Sequence, residues 1–309
     1  MILKSNVLKL FLGNSRLWAK KDLGICEIVE LGNVSPERSI PNHIHKPDYY
    51  YEFMEPGCTL GTPEIKSRKE IYSMRESCKL AARILKSCTE ILKVGITTDE
   101  IDAYVHEKVI SNGAYPSPLR YAGFPKSICT SVNNVACHGI PDDRKLCNGD
   151  IINIDITVFY NGFHGDCSKT FLVGDVDERG KFLVKSTKEC LYGAINICAP
   201  GVSYNKIGKY IQRFADSRNL KSIPAFIGHG IGSYFHGPPE ILHYDNDIEG
   251  VMLPGVTFTI EPILSLGSAE VELQEDGWTA MSTDLSRSAQ FEHTVLITQD
   301  GVEILTVSD

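Results

Sequence analysis

The sequence has no pair of cysteines at C-x-x-C spacing, although ten cysteines are spread along its 309 residues. That absence removes the zinc-ribbon and thioredoxin-type readings and favours a reducing compartment, where a free thiol packs as a small hydrophobe. No apolar run approaches the roughly 18 residues that a membrane span needs, so a membrane partner is not expected. There is no excess of positive charge: 31 basic against 39 acidic residues leave a net charge of -8. That balance argues against nucleic acid as a partner, since such proteins present a basic face. A glycine-rich phosphate loop and a nucleophilic-serine elbow are also missing, which sets aside two large enzyme classes. What remains is an ordinary globular composition, 42% hydrophobic and 23% charged, long enough for a substantial core.

Residues 1–21 contain no acid, carry Lys4, Lys9, Arg16, Lys20 and Lys21, and can line up Leu3, Val7, Leu8, Leu10, Phe11 and Leu12 on one helical stripe. This is the pattern of an organellar transit peptide, with a cytoplasmic location as the alternative. Residues 22–63 are broken by Pro36, Pro41, Pro47, Pro56 and Pro63 and read as an extended arm. The histidines of "NHIH" (42–45) are expected to be exposed rather than a metal clip. Residues 64–309 read as the folded domain that carries the motifs. Helical periodicity covers 64–93, and a second helix capped by Thr97 or Thr98 stops at Gly113. Residues 126–143 suggest two short strands, 149–174 a hairpin turning at Asn161-Gly162, and 180–199 and 203–219 two more helices. Short strands between Gly/Pro turns follow.

A weak internal repeat links "VGITTDEIDAYV" (94–105) to "PGVSYNKIGKYI" (200–211), and "GDIINIDITV" (149–158) to "GVTFTIEPIL" (255–264), both displaced by 106 positions. The displacement places Asp155 on Glu261; "CHGIPDD" and "FHGPPEI" likewise place His138 on His236. Two related α+β halves are expected, with a site shared between them.

The hairpin poses the chemical problem. A two-residue turn at Asn161-Gly162 pairs Tyr160 with Phe163, so Asp155 and Asp166 share a face, one diagonal step of about 7–8 Å apart. Two carboxylates in an apolar sheet lose hydration and repel each other. Protonation of one, a paired base or bound metal would each resolve this. Lys169 is the one nearby base, while Glu261 and Glu292 add two further acids in strand settings. Four such acids without matching bases favour metal. His229, between glycines in "IGHGIG", adds an imidazole. Such donors suit Mn, Fe, Co or Zn, and their number suffices for two ions about 3.5–4 Å apart that activate water near neutral pH.

At these residues the sequence resembles a known family. "NIDITV…GFHGD", "GHGIG", "FTIEP" and "AQFEHTV" resemble the metal motifs of type 1 methionine aminopeptidases, and "PSPL…GFPKSICTSVNNVACHGIPD" with the basic leader resembles their mitochondrial (type 1D) form. The resemblance implies the pita-bread fold, with two pseudo-symmetric halves around a dinuclear metal site. It implies a monomer of the mitochondrial matrix, with residues 1–21 as its transit peptide, that removes methionine from the N-termini of nascent polypeptides, preferring a small second residue. Asp155, Asp166, His229, Glu261 and Glu292 would then be the metal ligands, Asp166 and Glu292 bridging. His138, His236 and Glu261 would act on the scissile bond, and Tyr121, Phe124, Cys129, Phe235 and Trp278 would line the methionine pocket. His164 and His293 would be supporting groups, and His243 is expected at the surface or rim. Phe124, Pro118 and Gly237 depart from the side chains common in this family (Tyr, Cys and an acid). A proline-directed peptidase of the same fold, or a metal-free binding module, is the other reading. The first usually carries an additional N-terminal domain, for which 63 residues are too few, and the second loses ligands that are all present here.

Overall fold

The computed structural model describes residues 24–51 and 61–308; the basic leader at 1–21 lies outside them. In the first half, helix α1 (Arg68–Ser87) starts at a capping box in which Ser67 and Glu70 satisfy each other's backbone N–H groups. Helix α2 (Thr98–Ser111) does the same with Thr97 and Glu100. Strands β1 (Tyr115–Pro116), β2 (Cys129–Val132), β3 (Val135–Cys137), β4 (Ile151–Tyr160) and β5 (Phe163–Leu172) complete this half. β4 pairs with β5 on one edge and with β1 and β2 on the other, all antiparallel. Helix α1 presses its backbone on β5. A Cβ at Gly165 would meet the Cys78 nitrogen and the Ser77 carbonyl carbon at 2.5 Å.

The second half holds α3 (Glu178–Asn196) and α4 (Asn205–Ser217). Its strands are β6 (Lys221–Ser222), β7 (Gly228–Gly230), β8 (Gly237–Ile241), β9 (Thr257–Ile260), β10 (Ile263–Ser265), β11 (Val271–Leu273), β12 (Ala280–Ser282), β13 (Ser288–Gln290), β14 (His293–Ile297) and β15 (Val302–Ile304). Five of them form one sheet in the order β15-β14-β9-β7-β8. The repeat is real. Displaced by 106 positions, α2 falls on α4, and β4 falls on β9 plus β10, its continuous run interrupted in the second half at Glu261-Pro262.

Each half buries its own apolar cluster. Leu85, Ile101, Ile154 and Ile156 lie in the first, and Leu191, Ile211, Phe258 and Val295 in the second. Each such side chain removed from water contributes about 1.5–3 kcal/mol. The halves join along β5 and the segment around β14: Glu292 N–H donates to the Ser168 carbonyl at 3.0 Å, and the Thr294 hydroxyl donates to the Asp166 carbonyl at 2.8 Å. The seam therefore runs through two of the predicted ligands. The arm over 24–51 is mostly without regular structure but not loosely attached. Ile40, Ile44 and Tyr49 are buried with Tyr115, Leu119 and Phe159.

Candidate metal centre

Asn161 (φ 51°) and Gly162 (φ 82°) both take left-handed backbone at the β4–β5 turn, which suits an Asn-Gly hairpin whose twist matches its strands. The register is the predicted one without a bulge: Tyr160 opposes Phe163, Thr157 opposes Asp166 and Asp155 opposes Ser168. Asp155 and Asp166 thus share a face. His229 is central in β7, flanked by glycines. A Cβ at Gly228 or at Gly230 would collide with the carbonyl of Thr259 or of Pro238, so only glycine lets these strands close around the imidazole. Glu261 sits in the break after β9, and Glu292 between β13 and β14.

These elements bring the five side chains together. One ligand atom each from Asp166, His229 and Glu292 lie within 4.8 Å of one another. His229 Nε2 stands 3.7 Å from Asp166 Oδ2 and 3.7 Å from Glu261 Oε1. His229 Nδ1 lies 3.1 Å from its neighbour's Gly230 carbonyl, which fixes the N–H on Nδ1 and leaves the Nε2 lone pair aimed at the carboxylates. Further groups orient the acids. The Thr157 hydroxyl donates to Asp166 Oδ1 at 2.7 Å, Thr259 donates to Glu261 Oε1 at 2.9 Å, and the Gln290 amide donates to Glu261 Oε2 at 3.3 Å.

The charge problem is as severe as the sequence implied. Burial pushes the Asp155 carboxyl up to about 7 and Glu261 up to about 8, the charge of Asp155 adding to the effect on Glu261. Burial, then the charge of the neighbouring acids, pushes Asp166 and Glu292 well above the carboxylate range. Among the described residues, no Lys or Arg lines the cavity they share. Lys169 is exposed, its ammonium over the Phe171 ring at 4.7 Å. Asp155 Oδ1 is buried without a hydrogen-bond partner. Clustered oxygens, one imidazole nitrogen, an orphaned carboxylate oxygen and no base form a donor set that divalent ions fit.

All twelve residues singled out from the sequence line one cavity of about 330 Å³. His236 stacks on Phe235 at 4.1 Å between ring centroids and lies 4.2 Å from His229. His138, at a left-handed φ of 53°, packs edge-on against Phe226 at 5.0 Å and faces Trp278 at 6.1 Å. Burial lowers His138 to about 4 and lowers His236 further, so both imidazoles are neutral. Phe124 meets Trp278 edge-on, and Cys129 pairs in register with Asp155.

His243, expected at the surface or rim, is fully buried: its Nε2 accepts the Glu261 backbone N–H at 3.2 Å, because the turn after β8 folds back beneath β9. His164 is buried, bonded to the Ser117 hydroxyl at 2.8 Å and stacked on Phe235. His293 turns away from the cavity, with the Thr306 hydroxyl at 2.8 Å and Tyr192 at 3.1 Å. Sequence reasoning passed over Thr157, Ala225, Phe226 and Ile227 in the lining. Thr157 was findable, being the register partner of Asp166; Phe226 and Ile227 sit in a loop without periodicity. His43 and His45 are exposed.

Fold and site together define a metallopeptidase of pita-bread architecture. Comparison with known proteins agrees: Metallopeptidase family M24 matches residues 72–299. Methionine aminopeptidase 1D, chloroplastic/mitochondrial, of Arabidopsis thaliana is 54% identical over 275 residues, covering 89% of this chain and 78% of the relative. Methionine aminopeptidase 1D, mitochondrial, of Mus musculus is 52% identical over 289 residues, covering 94% and 86%. The crystal structure of methionine aminopeptidase from Rickettsia prowazekii superposes with a TM-score of 0.78 at 42% identity, covering 80% of this chain and all of the other. A prolidase from Pyrococcus horikoshii OT3, at 22% identity and a TM-score of 0.63 over 79% of this chain and 64% of its own, shares the fold alone. The chain belongs to metallopeptidase family M24, among its methionine aminopeptidases, hydrolases of a family that works with divalent metal ions.

Proposed function

We propose that this methionine aminopeptidase cleaves the first peptide bond of nascent polypeptides in mitochondria, with two divalent ions held by Asp155, Asp166, His229, Glu261 and Glu292. The observation that carries this reading is the convergence of four base-free buried carboxylates and one lone-pair-directed imidazole on a single cavity. Bound there, the ions supply Lewis acidity toward water and the scissile carbonyl. Asp166 and Glu292 would be the ligands shared by the two ions; Asp155 would hold one, and His229 and Glu261 the other. The identity of the ions is a choice among Mn, Fe, Co and Zn that geometry and availability make together.

The chain's own residues do the rest. Neutral His138 and His236 each offer one N–H to the scissile amide, and a donor that carries no charge strengthens its bond as negative charge grows on the carbonyl oxygen. Glu261, gripped by Thr259 and Gln290, takes the proton of the attacking water and returns it to the leaving amine. Asp155 faces the free α-amine. Tyr121, Phe124, Cys129, Phe235 and Trp278 receive the methionine side chain, a soft thioether that packs well on aromatic rings and sulfur. The preference for a small second residue follows from sharing about 330 Å³ between that side chain and the ligand cluster. The acid-free leader and the mitochondrial relatives support import, and the net charge of -8 speaks against a nucleic-acid partner.

Hydrolysis of Met-Ala-Ser, compared with peptides led by Pro or Leu and with Met followed by larger residues, tests this reading on metal-stripped protein given each ion in turn. Release of the first residue much faster from Met-Ala-Ser than from the Pro- or Leu-led peptides, or from Met before a larger residue, is the expected outcome. No release with any ion rejects the assignment, and Asp166→Ala retaining both metal uptake and turnover rejects the bridging role.

A further inference from the structure

The wall of the methionine pocket is a loop that cannot stand by itself. Residues 117–124 follow β1 and contain two non-glycine residues in left-handed backbone, Arg120 (φ 66°) and Ala122 (φ 47°). Such conformations persist only where the surroundings over-determine them. Here the surroundings are the N-terminal arm, 70 or so positions earlier in the chain. The Arg120 guanidinium lies over the Tyr50 ring at 4.3 Å and pairs with Glu37 at 2.7 Å. Tyr49, buried, donates its hydroxyl to the Ser117 carbonyl at 2.6 Å. Its ring meets Tyr121 edge-on at 5.1 Å.

The same ring also reaches the opposite wall. Tyr49 stacks at 6.3 Å on His164, His164 stacks at 5.2 Å on Phe235, and Phe235 stacks at 4.1 Å on His236. Tyr121, on the other route, contacts Phe235 at 4.8 Å and His236 at 4.9 Å. Among the described residues of the arm, Tyr49 is therefore the one whose ring abuts both Tyr121 and His164, the two groups packed against Phe235 and His236. It does not line the cavity itself.

We propose that Tyr49 is a positioning residue for methionine recognition: the arm is a working part of the substrate pocket, with Tyr49 wedged behind Tyr121 and His164 to hold the pocket at the width of an unbranched thioether side chain. The proposal rests on the reading of Tyr121, Phe235 and His236 as substrate contacts. Removing the wedge lets Tyr121 and Phe235 retreat, which loosens side-chain binding while leaving the ligand cluster intact. Loss of binding energy common to ground and transition states raises KM with little change in kcat.

The test is steady-state hydrolysis of Met-Ala-Ser and Leu-Ala-Ser by the full chain and by Tyr49→Ala, Tyr49→Leu and Tyr49→Phe, with metal content measured for each. Tyr49→Ala is expected to raise KM for Met-Ala-Ser about tenfold, the scale of two aromatic contacts, with kcat nearly unchanged, full metal content and a smaller ratio of Met to Leu cleavage. Tyr49→Phe keeps the wedge and restores the selectivity ratio. Tyr49→Leu fills the volume without the ring faces and falls between, which keeps the test informative if the alanine variant folds poorly. An unchanged KM and selectivity ratio in both Tyr49→Ala and Tyr49→Leu overturn the proposal. Tyr121→Ala and His236→Ala in the same series separate the two levels: if these too leave KM and kcat unchanged, the pocket reading itself fails.

Discussion

Thr157 shows how a side chain with no charge can govern a charged site. Its hydroxyl faces Asp166 across the β4–β5 ladder and fixes one carboxylate oxygen at 2.7 Å. Partners of metal ligands typically tune affinity by about 10–100-fold, so Thr157→Val should weaken metal binding by that factor in a calorimetric titration. Equal affinity in the two proteins would show that the β-hairpin alone orients Asp166. The four acids themselves set a pH signature in metal-stripped protein. Their folded values are raised, so their favourable contribution is complete below the unfolded carboxylate range near 4 and is lost as pH rises through the folded values, Asp155 at about 7 and Glu261 at about 8. Metal-free protein should thus melt at a lower temperature at about pH 8.5 than at about pH 6, and added Mn should abolish the difference. A flat melting profile without metal would mean that the cluster is not protonated.

At the scale of elements, legibility followed locality. The β4–β5 register was readable because alternation and one Asn-Gly turn determine it within twenty-odd neighbouring residues. The α2–α4 correspondence was readable because "VGITTDEIDAYV" and "PGVSYNKIGKYI" align at one fixed displacement, although α2 starts at a capping box and α4 has no side-chain cap. The second-half strands were harder, since β7, β9 and β13 run only three or four residues and their partners lie far along the chain. His243 was misplaced for that reason: its polar neighbours suggest a surface turn, and only tertiary pairing puts it beneath Glu261. Close helix–strand contact was equally invisible. Gly165→Ala should test it: the new methyl must displace the α1 backbone at Ser77 and Cys78, which costs about 1–3 kcal/mol. Chemical denaturation should show this as a lowered midpoint at unchanged slope, whereas a neutral result would mean that α1 slides freely on β5.

Across the whole molecule, one buried cation ties three distant segments. Arg287, fully buried, pairs with Asp177 at 2.6 Å; Asp177 also caps α3 through the Gly180 N–H at 2.7 Å and accepts the Ile25 N–H of the arm at 2.6 Å. Burial alone would raise the Asp177 carboxyl, but these backbone donors and the guanidinium together hold it below the usual range. A lowered folded value gives stability that is present at neutral pH and lost as pH falls through that value. Asp177→Asn should therefore lower stability by about 3 kcal/mol at neutral pH, because it strands a buried cation, and flatten the wild-type loss of stability in acid. A variant that melts like the wild type at every pH would remove this junction from the account. No composition or motif announced it, because its partners are 110 and more positions apart.

The seam between the halves has a consequence for the life history of the chain. The proposed donors are contributed in order, Asp155 and Asp166 by the first half, His229, Glu261 and finally Glu292 by the second. A chain emerging from the ribosome carries Asp155 and Asp166 while it still lacks the other three proposed donors. Peptidase activity is thus withheld until the second half has docked, so that a protein whose task is to trim other nascent chains is unarmed for as long as it is one itself.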